Sequence, residues 1–176
     1  MTYSKILVAI DQSPLGQAVF AQALDLAKTQ NASLMLFHCL MPEVLLGPML
    51  MPGEFGLSPH LISQTYKVQQ EQLDLQVSTV REMLEHYTKV ATQLGVPAEF
   101  SYRCVDAGRG ICELASSWNA DLVILGRRGI KGLTEALLGS VSNYVLHHAS
   151  CSVLVVQTAT QQLGDQAKTA AAAAVT

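Results

Sequence analysis

The sequence predicts a doubly wound α/β domain: a five-stranded parallel sheet of order 3-2-1-4-5 with helices on both faces. Three observations carry this. Short, nearly unbroken apolar runs recur along the chain, of the length expected for strands buried on both faces. Segments of helical periodicity separate them, so the order is β-α-β-α-β-α-β-α-β, which implies parallel strands joined by crossover helices. The chain has 176 residues, 49% apolar and 14% charged, which suits one domain with a sizeable core. Right-handed crossovers and five strands are met most economically by the 3-2-1-4-5 order, in which the chain reverses direction between strands 1 and 4.

Residues 5–11 read Lys-Ile-Leu-Val-Ala-Ile-Asp and form the first strand. Ser13 then offers an N-cap hydroxyl, and Pro14 supplies the preset φ of a first helical residue. Val19, Ala23 and Ala27, flanked by Phe20 and Leu24, give the i, i+4 stripe of a helix that Asn31 and Ala32 close. Ser33–Cys39 is the second strand. Residues 40–59 hold Pro42, Pro48, Pro52 and Pro59 with Gly47, Gly53 and Gly56, a density that forbids a regular element. The same stretch carries Leu45, Leu46, Met49, Leu50, Met51, Phe55 and Leu57, so this loop is expected to cover the domain itself or a partner chain.

A long helix follows over 58–94. Leu73, Val77, Val80, Leu84, Tyr87, Ala91 and Leu94 alternate spacings of four and three. The opposite face is rich in Gln, Glu and Lys, so the helix is expected to pack on the sheet, with a coiled-coil seam as the alternative. Gly95 and Pro97 end it. Residues 98–105 form the third strand, with Phe100, Tyr102 and Cys104 on one side. Gly108-Arg109-Gly110 reads as a turn before a short helix marked by Ile111, Leu114, Ala115 and Trp118. Residues 121–125 are the fourth strand, ending at Gly126. Gly139-Ser140 opens a helix with Val141, Tyr144, Val145 and His148 on one face, and 151–157 is the last strand. The tail, 158–176, is Ala, Gln and Thr with almost no large apolar residue; it is expected to be disordered, which leaves 1–157 as the domain.

Composition excludes several classes of function. Eleven Lys and Arg against fourteen Asp and Glu give a net charge of −3, and no basic block exists to grip nucleic acid. No run of about 18 apolar residues suggests a membrane span, and the first residues lack a signal-peptide layout. A cytoplasmic location is expected. Cys39, Cys104, Cys112 and Cys151 form no Cys-x-x-Cys pair and fit no zinc spacing, so they read as buried, reduced thiols.

In a sheet of this order, ligands bind at the carboxyl ends of the strands beside the switch point. That places Asp11 and Gly126 on either side of one crevice. From Gly126 the chain reads Gly-Arg-Arg-Gly-Ile-Lys-Gly-Leu-Thr-Glu-Ala-Leu-Leu-Gly-Ser-Val. Gly126 and Gly129 directly follow a strand, where successive N–H groups can form an anion-binding concavity. Gly139 and Ser140 open a helix, whose free N–H groups and dipole favour an anion. The Ser140 hydroxyl can donate to a phosphate or help hold a metal-bound water. The pattern specifies a polyphosphate cradle made mostly of backbone. It is not a standard P-loop, because no Lys precedes the helix-opening Ser, and no Gly-x-Gly-x-x-Gly follows the first strand.

Gly-x2-Gly-x9-Gly-Ser, met by Gly126, Gly129, Gly139 and Ser140, combines with Lys-Ile-Leu-Val-Ala-Ile-Asp near the start and Cys-Ser-Val-Leu-Val-Val near the end. Over roughly 4–157 this combination resembles the universal stress protein (UspA) family, in its nucleotide-binding branch. The resemblance implies a homodimer, often joined through the last strand, with ATP or AMP held at the switch point. It implies that Asp11 lies near the ribose and adenine, and that Ala9 and Ile10 line the adenine slot. It implies that the backbone of Cys39, which His38 precedes, meets the adenine edge, and that Leu125 packs beside the sugar. Gly126, Gly129, Gly139, Ser140 and Val141 match the backbone that contacts ribose and phosphates.

Two features depart from the family pattern. Arg127 and Arg128 stand where many members have a small or polar residue followed by His; two fixed cations there either strengthen phosphate binding, answer a different anion, or are solvated loop charges. The 40–59 segment is longer and more apolar than a minimal member needs, as a lid or a dimer surface would be. His147 and His148 fall at a helix C-terminus, where a cation complements the dipole, and Glu135 reads as solvated. No acid or base is placed to activate water. The leading expectation is a homodimeric regulator of the stress response that senses adenine nucleotide by a population shift. The alternatives are a slow Mg²⁺-dependent ATPase and a nucleotide-independent interaction module, and in each case the protein partner is unspecified.

Overall fold

The computed structural model describes residues 2–40, 59–127 and 139–157, with side chains in the long helix from 67 onward, residue 69 aside. The apolar 40–59 segment (beyond Leu40 and Pro59) and the tail lie outside the described residues. The elements are β1 (Lys5–Ala9), α1 (Pro14–Gln30), β2 (Ser33–Cys39), α2 (Pro59–Gln93), β3 (Ala98–Arg103), α3 (Ala107–Trp118), β4 (Leu122–Gly126), α4 (Ser140–His148) and β5 (Ser152–Val156). The sheet runs β3-β2-β1-β4-β5, all parallel, as the alternation of apolar runs and helices predicts.

The period of two in each strand divides the core. Ile6, Val8, Leu34, Leu36, Leu122 and Ile124 face one way and pack with Val19, Phe20 and Ala23 of α1 and Val80, Leu84 and Ala91 of α2. Leu7, Met35, Phe37, Val123 and Leu125 face the other way, against Ile111, Leu114 and Ala115 of α3 and Val145 of α4. The strands read as continuous apolar runs because both of their faces are covered. From Val77 to Ala91 the α2 stripe packs on the sheet side of the core. Its last expected member, Leu94, lies past the helix end and is half exposed.

Local chemistry sets the boundaries. Ser13 caps α1 by accepting from the Gly16 N–H, and Asn31 closes it in the left-handed conformation at φ 54°. The Asp121 carboxylate accepts from the Ser4 and Lys5 N–H groups at 2.8 and 2.9 Å, which ties the start of β1 to the start of β4. Three expectations need correction. β1 ends at Ala9, so Ile10 and Asp11 lie beyond the strand. Gly108 and Gly110 belong to α3, because Asp106 caps that helix by accepting from the Arg109 N–H. These glycines answer packing and not a turn: a Cβ at Gly108 would stand 2.7 Å from the Tyr144 ring, and one at Gly110 would stand 2.7 Å from Val105. Finally, Cys104 falls just after β3 and is exposed, while Cys39, Cys112 and Cys151 are half-buried free thiols.

Candidate functional site

At their carboxyl ends β1 and β4 part, because the crossover after β1 leads to one side of the sheet and the crossover after β4 to the other. A cleft of about 300 Å³ opens there. Ala9, Ile10, Asp11, Cys39, Leu125 and Gly126 line it from the strand ends, and Gly139, Ser140 and Val141 line it from the start of α4. Two predicted members, Arg128 and Gly129, lie outside the described residues, as does Glu135. Arg127 does not line the cleft. Its N–H donates to the Val156 carbonyl, and its guanidinium donates to Gln157 Oε1 at 3.4 Å, which turns it toward the end of β5.

The carboxylate wall is built by the β1–α1 turn. Asp11 Oδ1 accepts from the Ser13 N–H at 3.1 Å and from the Ser13 hydroxyl, so its orientation is fixed from within the turn. Gly16 makes this turn possible: a Cβ there would stand 2.2 Å from the Asp11 carbonyl oxygen. Leu15, on the same helical turn, covers Gly126, where a Cβ would stand 2.8 Å from the Leu15 side chain. The Cβ side of Gly126 is therefore filled by Leu15, and a larger residue there requires the Leu15 side chain to shift.

The opposite wall is the start of α4. Its N-cap, Gly139, makes no side-chain cap bond. The first-turn N–H groups have no intrahelical acceptor in any helix, and here they open beside the cleft at Ser140, Val141 and Ser142. The Ser142 hydroxyl donates to the Gly139 carbonyl at 2.9 Å, which directs that hydroxyl back into the cap. Such an end favours an anion through its N–H groups and its dipole. No Lys or Arg lines the cleft among the described residues, so a negative ligand there meets main chain.

The third wall joins β2 to α3. Phe37, His38 and Cys39 reach the cleft, with Ala107 and Ile111 behind them. The His38 Nδ1 lies 2.7 Å from the Ile10 carbonyl and donates to it. Burial first, and then the Asp106 charge, push the Cys39 thiol up to about 12. It stays protonated and points toward the Ala107 carbonyl at 3.9 Å, a neutral wall and not a nucleophile. Sequence reasoning missed Leu15, Gly16, Phe37, Ala107, Ile111 and Ser142 as lining residues. A glycine within the first turn of a predicted helix is a usable signal for Gly16; the others carry none beyond their apolar type.

A wider, shallower groove of about 520 Å³ runs between α3 and α4, past Arg109, Cys112, Glu113, Tyr144 and His148. No strand residue lines it, so it has no share in the switch point. Among the described residues, no group of three or more His, Cys, Asp or Glu is arranged to hold a metal ion, and no helix is long and apolar enough to cross a membrane.

Comparison with known proteins accords with this geometry. The family model described as "Universal stress protein family" matches residues 2–157. The Universal stress protein Sll1388 of Synechocystis is 42% identical over 157 residues, covering 89% of this chain and 99% of that protein. A solved universal stress protein in complex with cAMP aligns with TM-score 0.61 at 20% identity, over 89% of this chain and 98% of the other. An Arabidopsis thaliana member solved with AMP bound aligns with TM-score 0.59 at 19% identity, over 93% and 98%. The structural likenesses speak for the shared fold.

Proposed function

The chain belongs to the universal stress protein family, and from that premise we propose that it binds an adenine nucleotide, AMP or ATP, at the β1/β4 switch point and acts as a homodimeric regulator in the stress response. The observation that carries this is the uncapped start of α4 beside the Gly126 backbone, across one cleft from the fixed Asp11 carboxylate. Solved relatives hold cAMP and AMP, which supports the class of ligand.

In this reading Asp11 accepts from the ribose hydroxyls, Ala9, Ile10 and Cys39 bound the base, and Leu125 packs on the sugar. The main-chain N–H groups of Gly126, Gly139, Ser140 and Val141 hold phosphoryl oxygens, with Arg128 and Gly129 completing the glycine segment. Any Mg²⁺ arrives with ATP. The β5 edge, where Leu154 is partly exposed, is the dimerisation strand. The domain is 1–157, with the tail outside it, and the protein works in the cytoplasm.

Isothermal titration of nucleotide-free protein with AMP, ATP and cAMP tests this. Saturable binding of at least one, lost in a Gly126→Val/Ser140→Ala double variant of unchanged circular dichroism, is the expected result. No binding of any of the three overturns it.

A further inference from the structure

We propose that Ser142 is a positioning residue of the phosphate site. Its buried hydroxyl holds the Gly139 carbonyl and, through the peptide that Gly139 shares with Ser140, aims the Ser140 N–H into the cleft. This rests on the nucleotide reading above and deepens it.

Burial singles Ser142 out. It is 2% exposed and, among the described residues, it is the one buried polar side chain. It shares the inward face of α4 with Val145. Alanine would fill that place without burying a hydroxyl, and a buried hydroxyl costs free energy unless it is bonded. The bond it makes is donation to the Gly139 carbonyl at 2.9 Å. The same carbonyl accepts from the Asn143 N–H, also at 2.9 Å. A carbonyl oxygen has two lone pairs, and both are engaged.

The caps of α1 and α3 work from the opposite side. There the Ser13 and Asp106 side chains accept from the N–H groups of Gly16 and Arg109, the third residue of each helix. Each such bond occupies a donor that a ligand could use. In α4 the N-cap is Gly139, which makes no side-chain bond, so the first-turn donors are not spent on the cap. A glycine cap has a drawback. With no Cβ its ψ is loosely held, and a swing about ψ tilts the peptide that follows. The Ser142 hydroxyl supplies the missing restraint from the carbonyl side.

That peptide is planar and trans, so its carbonyl and its N–H point in opposite directions. Drawing the Gly139 carbonyl onto the first turn therefore turns the Ser140 N–H away from the helix, beside the cleft that Gly139 and Ser140 line. Donation to the carbonyl also polarises the amide, which makes the Ser140 N–H a stronger donor. The hydroxyl is committed to Gly139, so its effect on a ligand passes through the Ser140 amide.

Titration of nucleotide-free protein with AMP and with adenosine, read beside the ¹³C shift of the Gly139 carbonyl, tests this. Ser142→Ala should weaken AMP about fivefold and leave adenosine unchanged, with the Gly139 carbonyl signal moved upfield. Ser142→Thr, whose hydroxyl can reach the same carbonyl, should restore both. Unchanged AMP affinity in Ser142→Ala overturns the proposal. So does an equal loss for AMP and adenosine, the mark of a general structural role. So does a loss for AMP with the Gly139 signal unmoved, the mark of direct contact between hydroxyl and phosphate. Should Ser142→Ala fail to fold, Ser142→Cys, a weaker donor, must show the same AMP-specific loss, and wild-type affinity in it overturns the proposal. Failure of the wild type to bind AMP overturns the nucleotide reading and this proposal together.

Discussion

At the scale of single residues, the site is shaped by what is missing from side chains. Gly16 sits inside α1, where alanine is normally favoured by about 1 kcal/mol. Here the added Cβ would stand 2.2 Å from a backbone oxygen of Asp11, which has no freedom to rotate away. The clash outweighs the propensity, so Gly16→Ala should lower stability by ~1–3 kcal/mol and weaken nucleotide binding, as thermal melts and titration would show; an unchanged or raised melting temperature contradicts the packing. Cys39 gives a pH signature. Its folded pKa is raised from 9.0 to about 12, so above pH 9 the unfolded chain releases a proton that the folded chain keeps. The contribution is fully present below pH 9 and is lost as pH rises toward 12. Between pH 9 and 11, Cys39→Ala should therefore lose stability less steeply than the wild type. Iodoacetamide should modify the exposed Cys104 before Cys39.

At the scale of elements, the helices are held by caps and by the sheet in different proportions. Asp106→Ala removes the acceptor for the Arg109 N–H and should destabilise by ~1 kcal/mol, read as a modest fall in the urea midpoint. Leu84 is fully buried between α2 and the sheet; Leu84→Ala should destabilise by ~2–5 kcal/mol while leaving nucleotide affinity per folded molecule unchanged, since it is remote from the cleft lining. The elements most legible in the sequence are those where pattern and burial agree. Ser33–Cys39 reads as a strand because all of its central residues are buried, and Ser13-Pro14 marks the start of α1 because cap and φ preference coincide. Residues 10 and 11 look like strand because Ile10 is apolar; the paired register ends at Ala9, and beyond it the Ile10 N–H still donates to the Phe37 carbonyl while the Ile10 carbonyl accepts from the His38 imidazole, a tertiary contact that no local pattern encodes. Gly108 and Gly110 look like a turn for a similar reason. Their need for glycine comes from the side chains of Tyr144, Val105 and Cys39, all of which lie outside α3.

At the scale of the whole molecule, the strand order decides where a ligand goes, and this too was legible: alternating elements imply a 3-2-1-4-5 sheet, and that order has one switch point. Nine of the predicted site residues meet there. Arg127 does not, because the N–H that follows β4 continues the ladder to Val156 and carries the side chain to the β5 side. The central claim is that main-chain amides at Gly126 and the start of α4, and not a charged side chain, grip the phosphate. Titration of nucleotide-free, ¹⁵N-labelled protein with AMP and with adenosine tests this most directly. The account predicts that AMP binds at least tenfold more tightly than adenosine and shifts the amide signals of Gly126, Gly139, Ser140 and Val141, shifts that adenosine does not reproduce. Equal affinity for the two ligands, with those four amides unmoved by AMP, would contradict it.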